Sequence, residues 1–314
     1  MKKKRSIGKI ATISLLSLSI LFLIILSAIP PTIMKDMING HVKFSRMYTA
    51  EEFGLTSEKV VLKTSDGLNI ATYEVYTPTP KAVVIFISGI HNPSVTAFYG
   101  HSKMLKDNGY ASILMEMRAH GESEGDVISL GYKEYIDTKA VVDYIISNPK
   151  YDNIPIVVFG VSMGGATAIN SIGKIPEIDA LISLSAFSSW EDVFCDNMVN
   201  MGAPVFFAKM QKPFVKLYSI IKYGLDSNDV VPKKQIKKLE ERPALIMHSK
   251  GDTQVPYPSF ERILEVTPSH VEVWTREGDL HFIVGNSEDF TSPEKDQEYK
   301  EKIIGFLNKH FTSN

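Results

Sequence analysis

The sequence predicts an α/β fold: a mostly parallel central sheet with helices on both faces and an inserted helical cap. Three observations carry this. From residue 82 onward, short unbroken apolar runs such as 82–87 (AVVIFI) and 154–159 (IPIVVF) alternate with longer helical patterns. Such runs suit strands buried on both faces, as parallel strands are. The run at 154–159 leads into Gly160-Val161-Ser162-Met163-Gly164-Gly165 and then a helical stretch, Ala166-Thr167-Ala168-Ile169. A G-x-S-x-G turn therefore joins a strand to a helix. Residues 187–242 then separate two strands by far more chain than one crossover needs, which marks an insertion.

Composition sets the bounds. The 314 residues are 44% hydrophobic and 22% charged, enough for one large globular domain. Lys+Arg 34 against Asp+Glu 36 leaves a net charge of -2, so no basic field points to nucleic acid. The single cysteine, Cys195, excludes an intrachain disulfide and a Cys-based zinc site. It reads as a small buried apolar residue.

Residues 1–9 form a basic tail, with Lys2, Lys3, Lys4, Arg5 and Lys9, and residues 10–29 (IATISLLSLSILFLIILSAI) carry no charge. At the helical rise such a run spans about 30 Å, the hydrocarbon core of a bilayer. A cleaved signal peptide has a shorter apolar region and a small-x-small cleavage site. Here the run closes on Ser27-Ala28-Ile29-Pro30-Pro31. It reads as an uncleaved, single-pass signal anchor, with the basic tail cytoplasmic and the C-terminal domain outside. Residues 30–54 read as a stalk without periodicity, and residues 55–314 as the globular domain, with 187–242 as its cap.

Within that domain, residues 58–63 and 69–76 alternate polar and apolar around Ser65-Asp66-Gly67, a hairpin signal. Thr77-Pro78-Thr79-Pro80 ends the pair, and 82–87 is the first fully buried strand. Residues 98–108 read as a helix ending at Gly109, and 111–117 as a strand. Tyr132, Tyr135, Ile136, Ala140, Tyr144 and Ile145 share one helical face. Strands follow at 179–184, 244–248 and 271–274, with helices at 258–266 and 293–311. Ser292 is the predicted N-cap of the last helix and Pro293 its first position. Repeated strand–helix units give a parallel sheet covered on both faces. The cap is rich in Phe and Met, including Trp190, Phe194, Met198, Phe206 and Met210. Packing on the sheet accounts for most of these residues, and the remainder suits an adaptable apolar pocket.

The chemistry centres on Ser162. On a sharp strand-to-helix turn its backbone is strained, and Gly160 and Gly164 stand where side chains would collide with neighbouring elements. The helix behind it points free N–H groups at the same spot. A serine hydroxyl becomes a nucleophile when a base takes its proton and a carboxylate orients the base. In the chain order Ser, Asp, His, these fall in loops after later strands. Asp252 lies in His248-Ser249-Lys250-Gly251-Asp252, and His281 in Gly278-Asp279-Leu280-His281-Phe282. Asp279 is the rival acid, but two residues from His281 it is poorly placed to meet the ring. Of the other histidines, His41, His101, His270 and His310 read as solvated and His248 as structural; His91 is a weaker candidate for a substrate contact. The oxyanion donors are expected to be the backbone N–H groups of Met163 and of Ile90, the latter in Ser88-Gly89-Ile90-His91-Asn92.

With these residues in place the chain resembles the α/β-hydrolases, in the branch of serine aminopeptidase-like and monoglyceride-lipase-like hydrolases, and is most similar to membrane-anchored bacterial members. The motifs are Ser65-Asp66-Gly67-Leu68, Ser88-Gly89, Arg118-Ala119-His120-Gly121-Glu122-Ser123, the Ser162 turn and the Asp252 and His281 loops, together covering about residues 55–310. The resemblance implies the α/β-hydrolase fold and a Ser-Asp-His triad, and is weak on substrate. Two positions depart from the family pattern: Ser88-Gly89 stands for the usual His-Gly, and Arg118-Ala119-His120-Gly121 for Arg-Gly-His-Gly. Neither removes a catalytic group. The resemblance also implies a structural role for His120, packing near the site.

The expected activity is a serine hydrolase that cleaves a carboxylic ester with an apolar acyl group, a small-molecule or lipid-like substrate, through an acyl-enzyme. No cofactor and no metal is required. A peptidase or amidase using the same triad is the alternative; Glu191, Asp192 and Asp196 in the cap are its candidates for capturing a substrate amine. A non-catalytic, membrane-tethered binding protein on the same fold is a third reading, disfavoured by the intact triad. The anchor reading has a direct test. The protein should stay in the membrane fraction through high-salt and alkaline washes, and protease added to intact spheroplasts should digest the C-terminal domain. A protected domain reverses the orientation, and a shortened soluble form shows cleavage.

Overall fold

The apolar runs build one sheet of eight strands among the described residues: β1 (Glu58–Lys63), β2 (Asn69–Val75), β3 (Val83–Ile87), β4 (Ala111–Met115), β5 (Ile156–Val161), β6 (Ala180–Leu184), β7 (Ala244–Ser249) and β8 (Glu272–Arg276). The computed structural model describes residues 2–286 and 290–312, with side chains from residue 8 onward, so the side chains of the basic tail before Gly8 lie outside the described residues. The strand order is β1-β2-β4-β3-β5-β6-β7-β8. The β1–β2 hairpin and the β2–β4 pair are antiparallel, and the remaining pairs are parallel. Every residue of β3 to β7 is buried, which is why these runs show no polar alternation. The edge strands β1 and β8 are partly exposed, and β1 alternates between exposed and partly covered residues from Lys59 on.

Helices cover both faces. They are α1 (Lys2–Ile38), α2 (Tyr99–Lys106), α3 (Glu134–Ser147), α4 (Met163–Lys174), α5 (Trp190–Asn200), α6 (Val205–Tyr223), α7 (Pro232–Gln235), α8 (Tyr257–Leu264) and α9 (Gln297–His310). Val83, Ile85 and Ile87 of β3 face one apolar cluster that includes Ala166 and Ile169 of α4. Val84 and Phe86 face the other, which includes Leu105 of α2 and Tyr299 and Phe306 of α9. The chain crosses from β4 over β3 to β5, so the strand order reverses between β3 and β5. In an open α/β sheet a crevice forms at the carboxyl ends of the strands at such a point. The insertion between β6 and β7 contains α5, α6 and α7.

Four sequence expectations change. The segment read as a stalk begins as helix: α1 continues through Pro30 and Pro31 to Ile38. Two prolines remove two amide donors from the ladder, but Leu26, Pro30, Met34 and Ile38, spaced by four, form a buried stripe that ties these turns to the domain. The face predicted for α3 is rotated. Its buried positions are Glu134, Asp137, Thr138, Val141, Val142 and Ile145, while Tyr135, Ile136, Ala140 and Tyr144 are only partly covered. Two buried acids had masked the true face. The cap of the last helix is Asp296, whose carboxylate accepts from Tyr299 N, whereas Ser292 precedes only a short 3-10 turn and makes no side-chain cap bond. Finally, His101 is buried rather than solvated. It bonds the Tyr299 hydroxyl at 2.9 Å and lies among Phe86, Phe98, Phe159 and Phe290, and burial pushes its imidazole down to about 3.

The buried acid Asp137 belongs to an ion network that joins three parts of the sheet's outer half. Arg118, after β4, donates to Asp137 Oδ1 from Nη2 at 2.7 Å and to Asp66 Oδ2 in the β1–β2 turn from Nη1 at 2.7 Å. The Arg118 backbone N–H also donates to Asp137. Removing one partner of a buried pair leaves an uncompensated charge. Asp137→Ala should therefore lower unfolding stability by about 3–5 kcal/mol in urea titrations, while Asp66→Ala, whose carboxylate is 36% exposed, should cost about 1 kcal/mol or less.

Candidate active site

The site is built at the crevice between β3 and β5. Ser162 follows β5 with φ 57 and ψ -120, a left-handed conformation for a residue with a side chain. Such strain costs about 1–3 kcal/mol and persists only where the surroundings enforce it. Two glycines show the enforcement. A Cβ on Gly160 would stand 2.0 Å from the Gly164 carbonyl oxygen, and one on Gly164 would stand 2.3 Å from the carbonyl oxygens of Ile87 and Ser88. The first turn of α4 thus lies directly on the end of β3. Ser162 N donates to Leu184 O at 2.8 Å, which ties the turn to β6. The side chain remains half-buried and accessible.

The loop after β3 runs beside this serine. A Cβ on Gly89 would be 3.6 Å from Ser162 Cβ and 4.0 Å from Oγ, so any side chain at 89 would occupy the space next to the hydroxyl. Ile90, the next residue, is held from its carbonyl side by His120 Nε2, and His120 Nδ1 lies 2.8 Å from Arg118 O. Burial pushes this imidazole below its ordinary value. His91 points away from the crevice and bonds Met37 O, at the end of α1, at 3.0 Å. Met163 begins α4, where the first backbone N–H groups have no helical acceptor. The structure places the two N–H groups named from sequence, Ile90 and Met163, on the two chain segments that flank Ser162.

Asp252 and His281 meet. His281 Nδ1 lies 2.8 Å from Asp252 Oδ2, and Asp252 Oδ1 accepts from the backbone N–H groups of Gln254 and Val255 at 2.9 Å each. Both side chains are buried. Burial raises the Asp252 carboxyl, but the hydrogen bond and charge of His281, with the Val255 N–H and His248, offset this and hold it below the usual carboxylate value. Asp279 turns elsewhere: it accepts from Thr253 N at 3.0 Å and Thr253 Oγ1 at 2.8 Å, pinning the Asp252 loop to the His281 loop.

Three residues that the sequence reading passed over or left as structural complete the frame. Ser185, at the end of β6, donates its hydroxyl to His281 O at 2.6 Å. Ser162 and His281 thus hang from consecutive residues, Leu184 and Ser185. Ser249 Oγ donates to Gly278 O and accepts from Leu280 N, shaping the His281 loop. His248 is buried, bonds Val255 O at 2.8 Å and approaches Asp252 Oδ2 at 3.5 Å; burial pushes its imidazole down. No motif announces these residues. Their only signal is a small or polar residue at the carboxyl end of a strand. A cavity of about 190 Å3 adjoins His281, lined by Thr253, Gln254, Asp279, Leu280, Phe282 and Val284. Among the described residues, no group of three or more His, Cys, Asp or Glu side chains is arranged to hold a metal ion. Cys195 is buried against Ala208 O, and burial pushes its thiol up to about 11, away from thiolate chemistry.

A parallel-centred sheet with a serine on a strained strand-to-helix turn is the architecture of the α/β-hydrolases. An esterase of Pyrococcus furiosus superposes with a TM-score of 0.66 at 20% identity, over 87% of this chain and 100% of that one. The family described as "Serine aminopeptidase, S33" matches residues 78–238, just over half of the chain, and the chain belongs to that family. The matched stretch includes the Ser162 turn and ends before Asp252 and His281. Two relatives are 25% identical: an uncharacterised protein of Bacillus subtilis, YqkD, over 237 residues (74% of each chain), and protein bem46 of Schizosaccharomyces pombe, over 222 residues (68% of this chain and 66% of that one).

The two acids can be separated by experiment. Asp252→Asn should lower kcat by about 10⁴-fold by favouring the wrong tautomer of His281, whereas Asp279→Asn should keep activity within about tenfold, since it loosens a loop contact only. The reverse result assigns the acid to Asp279. Because the Asp252 pKa is depressed in the folded protein, its contribution to stability is present above the unfolded carboxylate value and lost as the pH falls through the folded one. Asp252→Asn should therefore flatten the acid limb of a stability-versus-pH profile.

Proposed function

We propose that the protein is a serine hydrolase that cleaves a carboxylic ester with an apolar acyl group through an acyl-enzyme. The observation that carries this reading is the His281–Asp252 hydrogen bond of 2.8 Å, suspended from Ser185 beside the strained Ser162 turn. In this mechanism Ser162 Oγ attacks the ester carbonyl as His281 takes its proton. The Ile90 and Met163 N–H groups receive the oxyanion. His281 returns the proton to the leaving alcohol, then activates water to release the acid. Asp252 keeps Nδ1 protonated and steadies the imidazolium. Met163, Phe187, Val193 and Phe194 belong to one apolar cluster, against which Ile90, Trp190 and Met198 pack, and this supports an apolar acyl group.

The cap acids favour ester over amine-bearing substrates. Asp192 is already bonded at 2.6 Å to both Lys212 and Lys233, and Asp196 accepts a two-pronged contact from Arg262. Neutralised carboxylates are poor receptors for a substrate ammonium. The aminopeptidase reading draws on the family's description and on Glu191, which makes no ion pair among the described residues and lines a cap cavity of about 270 Å3.

A fluorophosphonate probe should label the wild type and leave Ser162→Ala unlabelled; an unlabelled wild type supports a binding protein. Ser162→Ala and His281→Ala should each lower kcat by about 10⁴-fold or more. With p-nitrophenyl esters from acetyl upward, kcat/KM should rise about fourfold for each of the first few methylenes, at about 0.8 kcal/mol each. A flat series, or faster turnover of aminoacyl p-nitroanilides, overturns the ester reading in favour of the peptidase.

A further inference from the structure

Two features of the chain remain outside the catalytic account. The first is α1. Residues 8–25 are exposed throughout, and the stripe Leu26, Pro30, Met34, Ile38 is buried. The packed turns are held by α6, by Trp190 Nε1 on Met34 Sδ at 3.1 Å, and by Lys222 Nζ on Asn39 Oδ1 at 2.7 Å. A hydrocarbon core of about 30 Å, counted from Ile10 at the helical rise, ends near Ile29. The packed stripe therefore starts in the last turn of that span, at Leu26, and runs on past its end, so α6, which packs on it, is held beside the bilayer surface.

The second is the outer face of the cap. Met201 is 88% exposed, Phe206 70%, Val205 53% and Met210 37%. They lie on the turn between α5 and α6 and on the first turns of α6. Phe206 and Met210 are among the cap residues that the sequence reading offered for packing or an acyl pocket, but they face outward. Lys209 and Lys216 flank them, exposed and without an ion pair among the described residues, and α6 has no acidic residue in its 19 positions. The last turn of α6 meets the end of α1 through Lys222 and Asn39, while the contact stripe runs back along α1 to Leu26. The first turns of α6 therefore lie toward the membrane.

We propose that this face of the cap rests on the phospholipid surface of the membrane that α1 spans, with Met201, Val205, Phe206 and Met210 at the acyl boundary and Lys209 and Lys216 at the phosphates. A basic helix with one apolar face suits that boundary. The docked cap sets the Ser162 crevice at a fixed height above the bilayer, so the substrate is an ester held in the lipid surface. The docking rests on α1 spanning the membrane, and its substrate consequence rests on the ester reading above.

The test uses the full chain in vesicles of phosphatidylethanolamine and phosphatidylglycerol. In a Cys195→Ser, Ser162→Ala background, single cysteines at Phe206, Ile221 and Ile146 carry an environment-sensitive NBD label. Ile146, 56% exposed, closes α3 at the opposite end of the sheet. The label at 206 should shift to the blue and be quenched by nitroxide lipids at least threefold more than the label at 146, with 221 between them. Equal quenching at 206 and 146 overturns the docking. A blue shift at 206 without lipid quenching means that protein covers the face, a second copy or another chain, and also overturns it. With Ser162 intact, Phe206→Glu should lower kcat/KM at least tenfold on a long-chain ester dispersed in the vesicles and leave p-nitrophenyl acetate in solution within twofold. An equal loss on both substrates overturns the surface-substrate claim. A quenched label at 206, together with a wild-type protein that cleaves neither ester, would refute the ester reading and leave the docking standing.

Discussion

The close approach of α4 to the carboxyl ends of β3 and β5 is the constraint on which the site depends. It requires the absence of a Cβ at Gly160 and Gly164, where one would stand 2.0 Å and 2.3 Å from backbone oxygen. Once the helix is that close, the chain has no room to turn except through a left-handed residue, and Ser162 takes that position. The same contact brings the loop after β3 beside the hydroxyl and the first free N–H groups of α4 behind it. One packing decision therefore sets the serine, the Ile90 segment and the Met163 segment together. The strain is sustained because the sheet beneath is buried on every residue from β3 to β7 and has no slack to release it.

The other half of the site is assembled by loops, and here short polar side chains replace close packing. Ser185 holds the backbone of His281, Ser249 holds the turn before it, and Asp279 joins that turn to Thr253. Each contact is modest alone, about 1 kcal/mol net, but they converge on one imidazole. Asp252 is fixed in the same way, with one carboxylate oxygen on two backbone N–H groups and the other on His281. A residue so placed orients the ring with little freedom to lose.

The last turns of the N-terminal helix, from Leu26 onward, are part of this domain rather than a tether to it. Met34 and Ile38 are buried in the same apolar cluster as Ile85 and Met163, and the backbone beyond them pairs with the loops after β4 through Gly40, Val42 and Ile128. His91, next to Ile90, bonds the carbonyl of Met37. A helix packed this way transmits its position directly to the cap and to the loop that flanks the serine. Its two prolines are tolerated because the turns after them are held by tertiary contacts.

Much of this was legible in the sequence. Unbroken apolar runs located β3 to β7 because strands buried on both faces leave no other pattern, and the strand–Gly160-Val161-Ser162-Met163-Gly164–helix context located the serine because the turn is a local object. That the apolar N-terminal run is a continuous helix was legible for the same reason, since an uncharged run of that length is also a local pattern. What the chain could not disclose locally was decided in three dimensions. The face of α3 was set by Arg118 reaching Asp137, a contact between residues 19 apart that makes an acid the most buried side of a helix. His101 is buried because four aromatic rings from separate elements close around it. The outward turn of Phe206 and Met210, and the inward turn of Phe194, followed from how α5 and α6 pack against each other and the rest of the domain. Composition and periodicity are properties of neighbours along the chain; the partner of a buried charge, and the side of a helix that remains uncovered, depend on segments that only folding brings together.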